Sequence, residues 1–160
     1  MDKELDDYLC NKYPKIFVER TLPPIRSCMG RGFEHGNGWF ILLDILFSNI
    51  QEYIDYTNSH NIQNNEFLVP QFIALQVKEK FGRLRVYYTP TDNTYILGLI
   101  NMASDMSSHI CEICGASGAD VGTTSEWIRT LCRKCANKND RIIELSDYTQ
   151  LMRKVIEKHK

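Results

Sequence analysis

The chain has no apolar run near the ~18 residues that a membrane-spanning helix needs, and its opening MDKELDD is acidic with no apolar stretch behind it, so no signal peptide is expected. It has no G-x-x-x-x-G-K-[ST], no H-E-x-x-H, no Ser-His-Asp arrangement and no evident carboxylate pair, which gives the common hydrolase chemistries no foothold. Histidine is scarce: four residues, scattered at 35, 60, 109 and 159. An excess of one charge is also lacking. Nineteen Lys and Arg against twenty Asp and Glu give a formal net charge of −1, so the whole molecule has no broad attraction to nucleic acid, and only a local basic patch could supply one. There is no internal repeat and no low-complexity segment.

What is present begins with cysteine. A chain of 160 residues, 43% apolar and 24% charged, is expected to make one domain, with room for a small appended module. At this length the bulk of the fold needs no covalent staple. Without a leader peptide the expected compartment is the cytoplasm, where thiols stay reduced, so the six cysteines point to metal rather than disulfides. Four of them form Cys111-x2-Cys114 and, seventeen residues later, Cys132-x2-Cys135, which fits the C-x2-C-x15–20-C-x2-C zinc signature. Two residues between ligands allow a tight knuckle with both sulfurs aimed at one ion, and four thiolates close a tetrahedral shell. One structural zinc is therefore expected, and with it the formal charge falls to about −3. A closed shell leaves no position for water, against catalysis. Residues 115–131 hold no histidine, against an HNH-type nuclease. Gly115 suits the knuckle turn, ADVGTT and EWIRTL suit a hairpin, and the stripe in ANKNDRIIEL suits a helix after the second pair, a treble-clef or zinc-ribbon arrangement.

Elsewhere the pattern predicts a helix over residues 2–13, stopped by Pro14, then an irregular stretch to residue 38. The clearest element is a central helix over 39–56, apolar almost all round, with Trp39, Leu42, Leu43, Leu46, Ile50, Tyr53 and Ile54 on its stripe and Phe40, Ile41, Ile45 and Phe47 widening it. TNSHNIQNNE, residues 57–66, reads as a polar loop. A β-hairpin is expected from Gln71 to Pro90, turning at Lys80-Phe81-Gly82-Arg83, with one face buried and the other cationic. A capped helix follows, with Tyr95, Leu99, Met102 and Met106 on one stripe, and a last helix is expected from Ser146, carrying Leu151, Met152, Val155 and Ile156.

Three surfaces are candidates for contact. The glycine-rich stretch CMGRGFEHGNGW offers Arg31, His35, Asn37 and Trp39, and it reads either as an anion-binding loop or as a cover over the core. Cys28 and His35 supply too few ligands for a second metal, and Cys10 reads as a small core residue. The hairpin offers Lys78, Lys80, Arg83, Arg85 and Tyr87, suited to a protein partner, a nucleic acid or nucleotide, or only to solvent. The cysteine-flanked hairpin adds Trp127 and Arg129, residue types enriched at binding hot spots.

Three stretches, CMGRGFEHGNGWFILLDIL, QVKEKFGRLRVYY and CEICGASG…EWIRTLCRKC, resemble segments of a family of small, largely uncharacterised proteins encoded by bacteriophages and prophages that carry a C-terminal four-cysteine zinc module. The resemblance covers about residues 5 to 136. It implies a phage accessory role in the host cytoplasm and supplies no catalytic residue. Similar proteins often have a second glycine in the hairpin turn where Arg83 stands here, which reads Arg83 as an added surface contact.

The combined expectation is an α+β fold: a core over 1–108 of helices packed on a small antiparallel hairpin or sheet, a zinc module over 109–145, and a C-terminal helix over 146–160 packing back on the core. The expected function is non-enzymatic, the binding of a host macromolecule, with inhibition of a host defence or regulatory protein as its outcome. The alternative is binding of nucleic acid or a small nucleotide through Lys78–Arg85.

Overall fold

The computed structural model describes residues 1–125, 127–137, 142–143 and 154–158. The fold is α+β. In chain order it has α1 (Lys3–Lys12), three short 3-10 turns (Val18–Thr21, Cys28–Arg31, Asn37–Trp39), α2 (Phe40–Asn64), β1 (Ala74–Lys80), β2 (Arg83–Tyr88), α3 (Thr94–Ser107), β3 (Val121–Thr124), β4 (Thr130–Cys132) and β5 (Ile142–Ile143). Strands β1 and β2 form one antiparallel pair, and β4-β3-β5 a second antiparallel sheet. Among the described residues no helix is long and apolar enough to cross a membrane.

Helix α2 is the axis of the main core. It buries Leu42, Leu43, Leu46, Phe47, Ile50 and Ile54, and Trp39 just before it is fully buried. Residues 15–38 are irregular, as expected, yet they deliver Ile16, Phe17, Met29 and Phe33 to the same core. Two details differ from the pattern. Ile41 and Ile45 lie 68% and 56% exposed, so α2 is not buried all round. The expected polar loop at 57–66 is instead helical to Asn64, where Asn65 adopts a left-handed cap at φ 61°. The asparagines there have a structural task. Asn58 holds the Val69 backbone at both N–H (2.7 Å) and carbonyl (2.9 Å), and Asn61 Nδ2 donates to the Phe67 carbonyl at 2.6 Å. These bonds pin the return segment to the last turns and outweigh the low helix propensity of Asn.

The hairpin turns where expected. Phe81 (φ 55°) and Gly82 (φ 74°) both take positive φ, the requirement of a type I′ turn. Strict alternation fails because the register slips between Ala74 and Gln76. Ala74, Val77 and Leu84 therefore face the core together, an effect of a β-bulge. The outer edge of β1 is partly covered: Glu34 N–H donates to the Val77 carbonyl (2.9 Å) and Glu79 N–H to the Glu34 carbonyl (3.1 Å).

Helix α3 starts on the expected cap, with the Asn93 side chain accepting from Ile96 N–H at 3.1 Å. Its buried stripe is Ile96, Ile100, Ala103 and Ser107, one position on from the expected Tyr95, Leu99, Met102 and Met106. The reason is polar: Ser107 is fully buried and its hydroxyl accepts from Leu84 N–H at 2.8 Å, which sets the rotation of α3 over β2. Tyr95, Met102 and Met106 are thereby left 45–53% exposed. The helix expected after the second cysteine pair is corrected in part, because Ile142–Ile143 pair with β3 as a strand. Of the expected C-terminal helix, residues 154–158 are helical. Ser146, Leu151 and Met152 lie outside the described residues. Val155 and Ile156 are exposed, and Ile156 and Glu157 lie beside Gly118–Asp120 and Arg133.

Candidate metal centre and the surface beside it

The four-cysteine module is built from two tight turns at one end of a short sheet. The first turn runs from Cys111 to Gly115, whose N–H donates back to the Cys111 carbonyl at 2.9 Å. Gly115 closes it at φ 76°, backbone space that favours glycine. The second turn leaves β4 at Cys132, whose carbonyl accepts from the N–H groups of Cys135 (3.0 Å) and Ala136 (2.9 Å). Between them β3 and β4 pair antiparallel, Val121 opposite Cys132. Two knuckles on a small antiparallel sheet make the module zinc-ribbon-like.

These turns bring the sulfurs of Cys111, Cys114, Cys132 and Cys135 within 4.8 Å of one another. Cys114 Sγ lies 3.7 Å from Cys132 Sγ, close to the ~3.8 Å edge of a tetrahedron with metal–sulfur bonds of ~2.3 Å. Four soft donors at that spacing fit a structural metal ion. The titration of the thiols agrees in direction. Burial pushes Cys135 up, and its three sulfur neighbours add to the effect. At Cys132 burial acts the same way but is outweighed by the Cys135 N–H and the neighbouring thiols, which bring it down. A thiol binds metal as the thiolate, so loading this cluster must release protons. Among the described residues the cluster's own core is small: Cys111, Val121, Leu131 and Cys132 are its buried apolar members. So little apolar surface does not stabilise a unit of this size without a staple.

The glycine-rich loop docks on this module. Gly38 N–H donates to the Glu112 carbonyl at 2.7 Å, and Trp39 Nε1 donates to the Ile110 carbonyl at 2.9 Å. A Cβ on Gly38 would fall 2.0 Å from the Cys111 carbonyl oxygen and 2.4 Å from Gly115 N. Glu112, only 4% exposed, ties three segments together. Its Oε1 accepts from Gly36 N–H (3.0 Å) and its Oε2 from Arg129 Nε (2.9 Å). Of the two readings for this loop, a cover is the one realised. His35 and Trp39 are corrected as contact candidates: both are buried, His35 between the rings of Phe33 and Trp39. Asn37 is held by Asp2, and Arg31 stays exposed beside Glu34. Burial lowers the His35 pKa to about 4. Its Nδ1 bonds the Gly36 carbonyl at 2.8 Å and its Nε2 has no partner, the pattern of a neutral ring protonated on Nδ1. Cys28 is exposed while His35 is enclosed, and the one cluster of three or more ligating side chains among the described residues is the four-cysteine group. Cys10 is half-buried and donates to Asp6 Oδ1 at 3.5 Å; burial and the Asp6 charge push its thiol up to about 12. Asp6 itself is buried and takes a two-pronged bond from Arg20 (2.9 and 3.1 Å).

The expected cationic face is divided. Arg83 pairs with Asp105 at 2.9 Å, and Arg85 Nη1 donates to Ser104 Oγ at 2.9 Å, so both lean onto α3. Arg83 stays exposed at the surface, 46% accessible, in an ion pair with the still more exposed Asp105. Lys78 and Lys80 have no carboxylate partner among the described residues. They lie over the rings of Tyr87 (5.2 Å) and Phe81 (5.4 Å). Arg129 is committed to Glu112.

The hairpin turn and the module meet directly: Thr130 Oγ1 donates to the Gly82 carbonyl at 2.6 Å. Trp127 is not in a strand, as expected from the sequence, but in the tip before β4. This junction gathers Phe81, Trp127 and Ile128, 68%, 76% and 43% exposed, around an open cavity of about 360 Å³ shared with Glu79 and Lys80. The Glu79 carboxylate is turned inward, accepting from Gly82 N–H at 2.6 Å, and burial raises its pKa. Phe81 and Ile128 escape sequence reasoning because neither belongs to a motif; Glu112 escapes it because only the fold supplies its partners. No family model, no curated protein and no solved structure matches the chain.

Proposed function

We propose that the chain is a zinc-stapled binding protein that acts without catalysis, by engaging a host macromolecule through the Phe81–Trp127–Ile128 surface. One observation carries this reading: large apolar side chains from two distant stretches stand exposed together at the junction of hairpin and module, with Lys80 beside them. Phe81 is also a bulky residue held at positive φ, a position that normally goes to Asn or Gly. Backbone cost spent on displaying an aromatic ring supports a binding role. Apolar anchors with a cationic rim suit a protein partner carrying acidic residues around an apolar anchor.

Zinc is the metal proposed, since a four-thiolate tetrahedron is its commonest structural shell and leaves no position for water. The resemblance of three segments to phage-encoded proteins supports placing the chain among phage accessory proteins of the host cytoplasm, with a host defence or regulatory protein as target. A nucleic-acid or nucleotide reading is weaker, because the exposed acid Asp105 stands beside Arg83 and Arg85 leans onto Ser104.

The test is affinity capture from host lysate with wild type and with Phe81→Ser/Trp127→Ser. One host protein retained at moderate salt by wild type and lost with the double variant is the expected result. Retention unchanged by the double variant refutes the surface. A steeply salt-dependent shift of RNA or DNA that weakens with Lys78→Ala/Lys80→Ala would turn the reading to nucleic acid.

A further inference from the structure

The four sulfur ligands are equivalent in the sequence, but the fold does not enclose them equally. Cys111 and Cys132 are buried, 0% and 5% exposed, and Cys135 is half-buried, whereas Cys114 is exposed. The docked loop covers the start of the first knuckle, with Trp39 Nε1 on the Ile110 carbonyl and Gly38 N–H on the Glu112 carbonyl. It leaves Cys114 in the wall of an open cavity of about 410 Å³, next to Gly115, Ser117, Phe40 and Ile41. No Lys, Arg, Asp or Glu lines this cavity. A small neutral molecule can therefore enter without meeting a charge.

A second sulfur stands behind the exposed one. Cys114 Sγ is 3.7 Å from Cys132 Sγ, which exceeds the ~2.05 Å bond of a disulfide by roughly 1.7 Å. Zinc would hold both as thiolates at neutral pH, the nucleophilic form of the side chain. An accessible thiolate beside a second sulfur that can resolve its oxidised form is the arrangement of a reversible oxidation site.

We propose that Cys114 is an oxidation site, at which hydrogen peroxide joins Cys114 to Cys132 as a disulfide and so releases the metal. The Cys114 thiolate attacks one oxygen of the peroxide, the O–O bond breaks, and the other oxygen leaves as hydroxide, giving a sulfenic acid. The Cys132 thiolate then attacks the oxidised sulfur and expels a second hydroxide. Two thiolates have lost two electrons, and the peroxide has gained them. Cys111 and Cys135 remain as two donors, too few for a structural shell. The inference rests on the zinc reading above and adds a reversible control to the module that carries Trp127 and Ile128.

The test uses the reduced, zinc-loaded full chain carrying Cys28→Ser, which removes an exposed thiol outside the cluster. Hydrogen peroxide is added in steps, zinc release is read with a chromophoric chelator, and disulfides are mapped by peptide mass after alkylation. One zinc released per disulfide, with Cys114 joined to Cys132 and both changes reversed by dithiothreitol and fresh zinc, is the expected result. Cys114→His keeps a fourth ligand of a kind that structural zinc accepts but removes the thiol. It should release zinc at least about 10-fold more slowly. Should that variant fail to fold, brief alkylation of the zinc-loaded chain decides, and it should label Cys114 ahead of Cys111, Cys132 and Cys135. An unchanged release rate in Cys114→His, a disulfide between other cysteines, or first labelling at another of the four overturns the proposal. A chain that binds no zinc refutes the metal reading instead, and the disulfide map still decides whether Cys114 and Cys132 are the pair.

Discussion

At the scale of single residues, two glycines of equal sequence prominence have opposite roles. Gly38 lies where its backbone passes directly under Cys111 and Gly115, and the atoms that a Cβ would strike are main chain and cannot swing aside. Gly38→Ala should cost about 3 kcal/mol in urea unfolding and loosen the docking of the metal module. Gly98, in the middle of α3, has open space within 4 Å of where an alanine methyl would stand, so Gly98→Ala should stabilise the chain by about 1 kcal/mol through helix propensity. His35 gives a pH dependence. Its folded pKa is held at about 4 by burial against 6.5 when unfolded, so between those values the unfolded chain binds the extra proton. Stability is intact above pH 6.5 and falls as pH drops toward 4, by about 3 kcal/mol. The difference between wild type and His35→Phe, measured by urea unfolding from pH 4 to 7, isolates this contribution, because the cysteines titrate alike in both proteins. A difference that stays flat with pH would show that His35 is not buried neutral.

At the scale of elements, Glu112 is the joint between loop, knuckle and β4 approach. Glu112→Ala leaves Arg129 without its carboxylate and Gly36 N–H without its acceptor. The expected cost is roughly 3 kcal/mol, the lower end for a broken buried pair because Arg129 keeps some water. Glu112→Gln, which keeps one acceptor, should recover part of it; equal loss in both variants would mean that only side-chain volume matters there. Elements also show where periodicity reads correctly and where it slips. The 3.6-residue pattern located α2, and the Asp-Asn-Thr stretch located the start of α3, where the fold uses Asn93 as the cap. The rotation of α3 was set by Ser107 reaching Leu84, a bond between residues 23 apart that no local pattern contains. The tail of α2 looked like a loop because asparagine is a poor helix former, but its amides are satisfied by Val69 and Phe67. The hairpin's alternation broke at a bulge whose place depends on what packs beneath it.

At the scale of the whole molecule, the main core around α2 and the small cluster around the cysteines are separate. Removing the metal with a strong chelator should therefore act unevenly. Amide exchange across residues 111–136 should rise by orders of magnitude while α2 and α3 stay protected, and one equivalent of zinc should restore protection with release of protons. Cys132→Ser should reproduce the chelated state. Uniform loss of protection would mean that the junction at Gly38, Glu112 and Thr130 couples the two clusters fully. By itself the sequence determined the α+β class, the central helix, the hairpin turn and the four-cysteine cluster, because periodicity, turn chemistry and ligand spacing are local properties that survive in any context. Only the tertiary structure decided which candidates are surface: it enclosed His35 and Trp39 against the knuckle, leaned Arg83 and Arg85 toward α3, tied Arg129 to the buried Glu112, and set Phe81 beside Trp127 and Ile41 beside Met106. Those outcomes depend on contacts between residues dozens of positions apart, whose energies arise only once the chain has closed around its core.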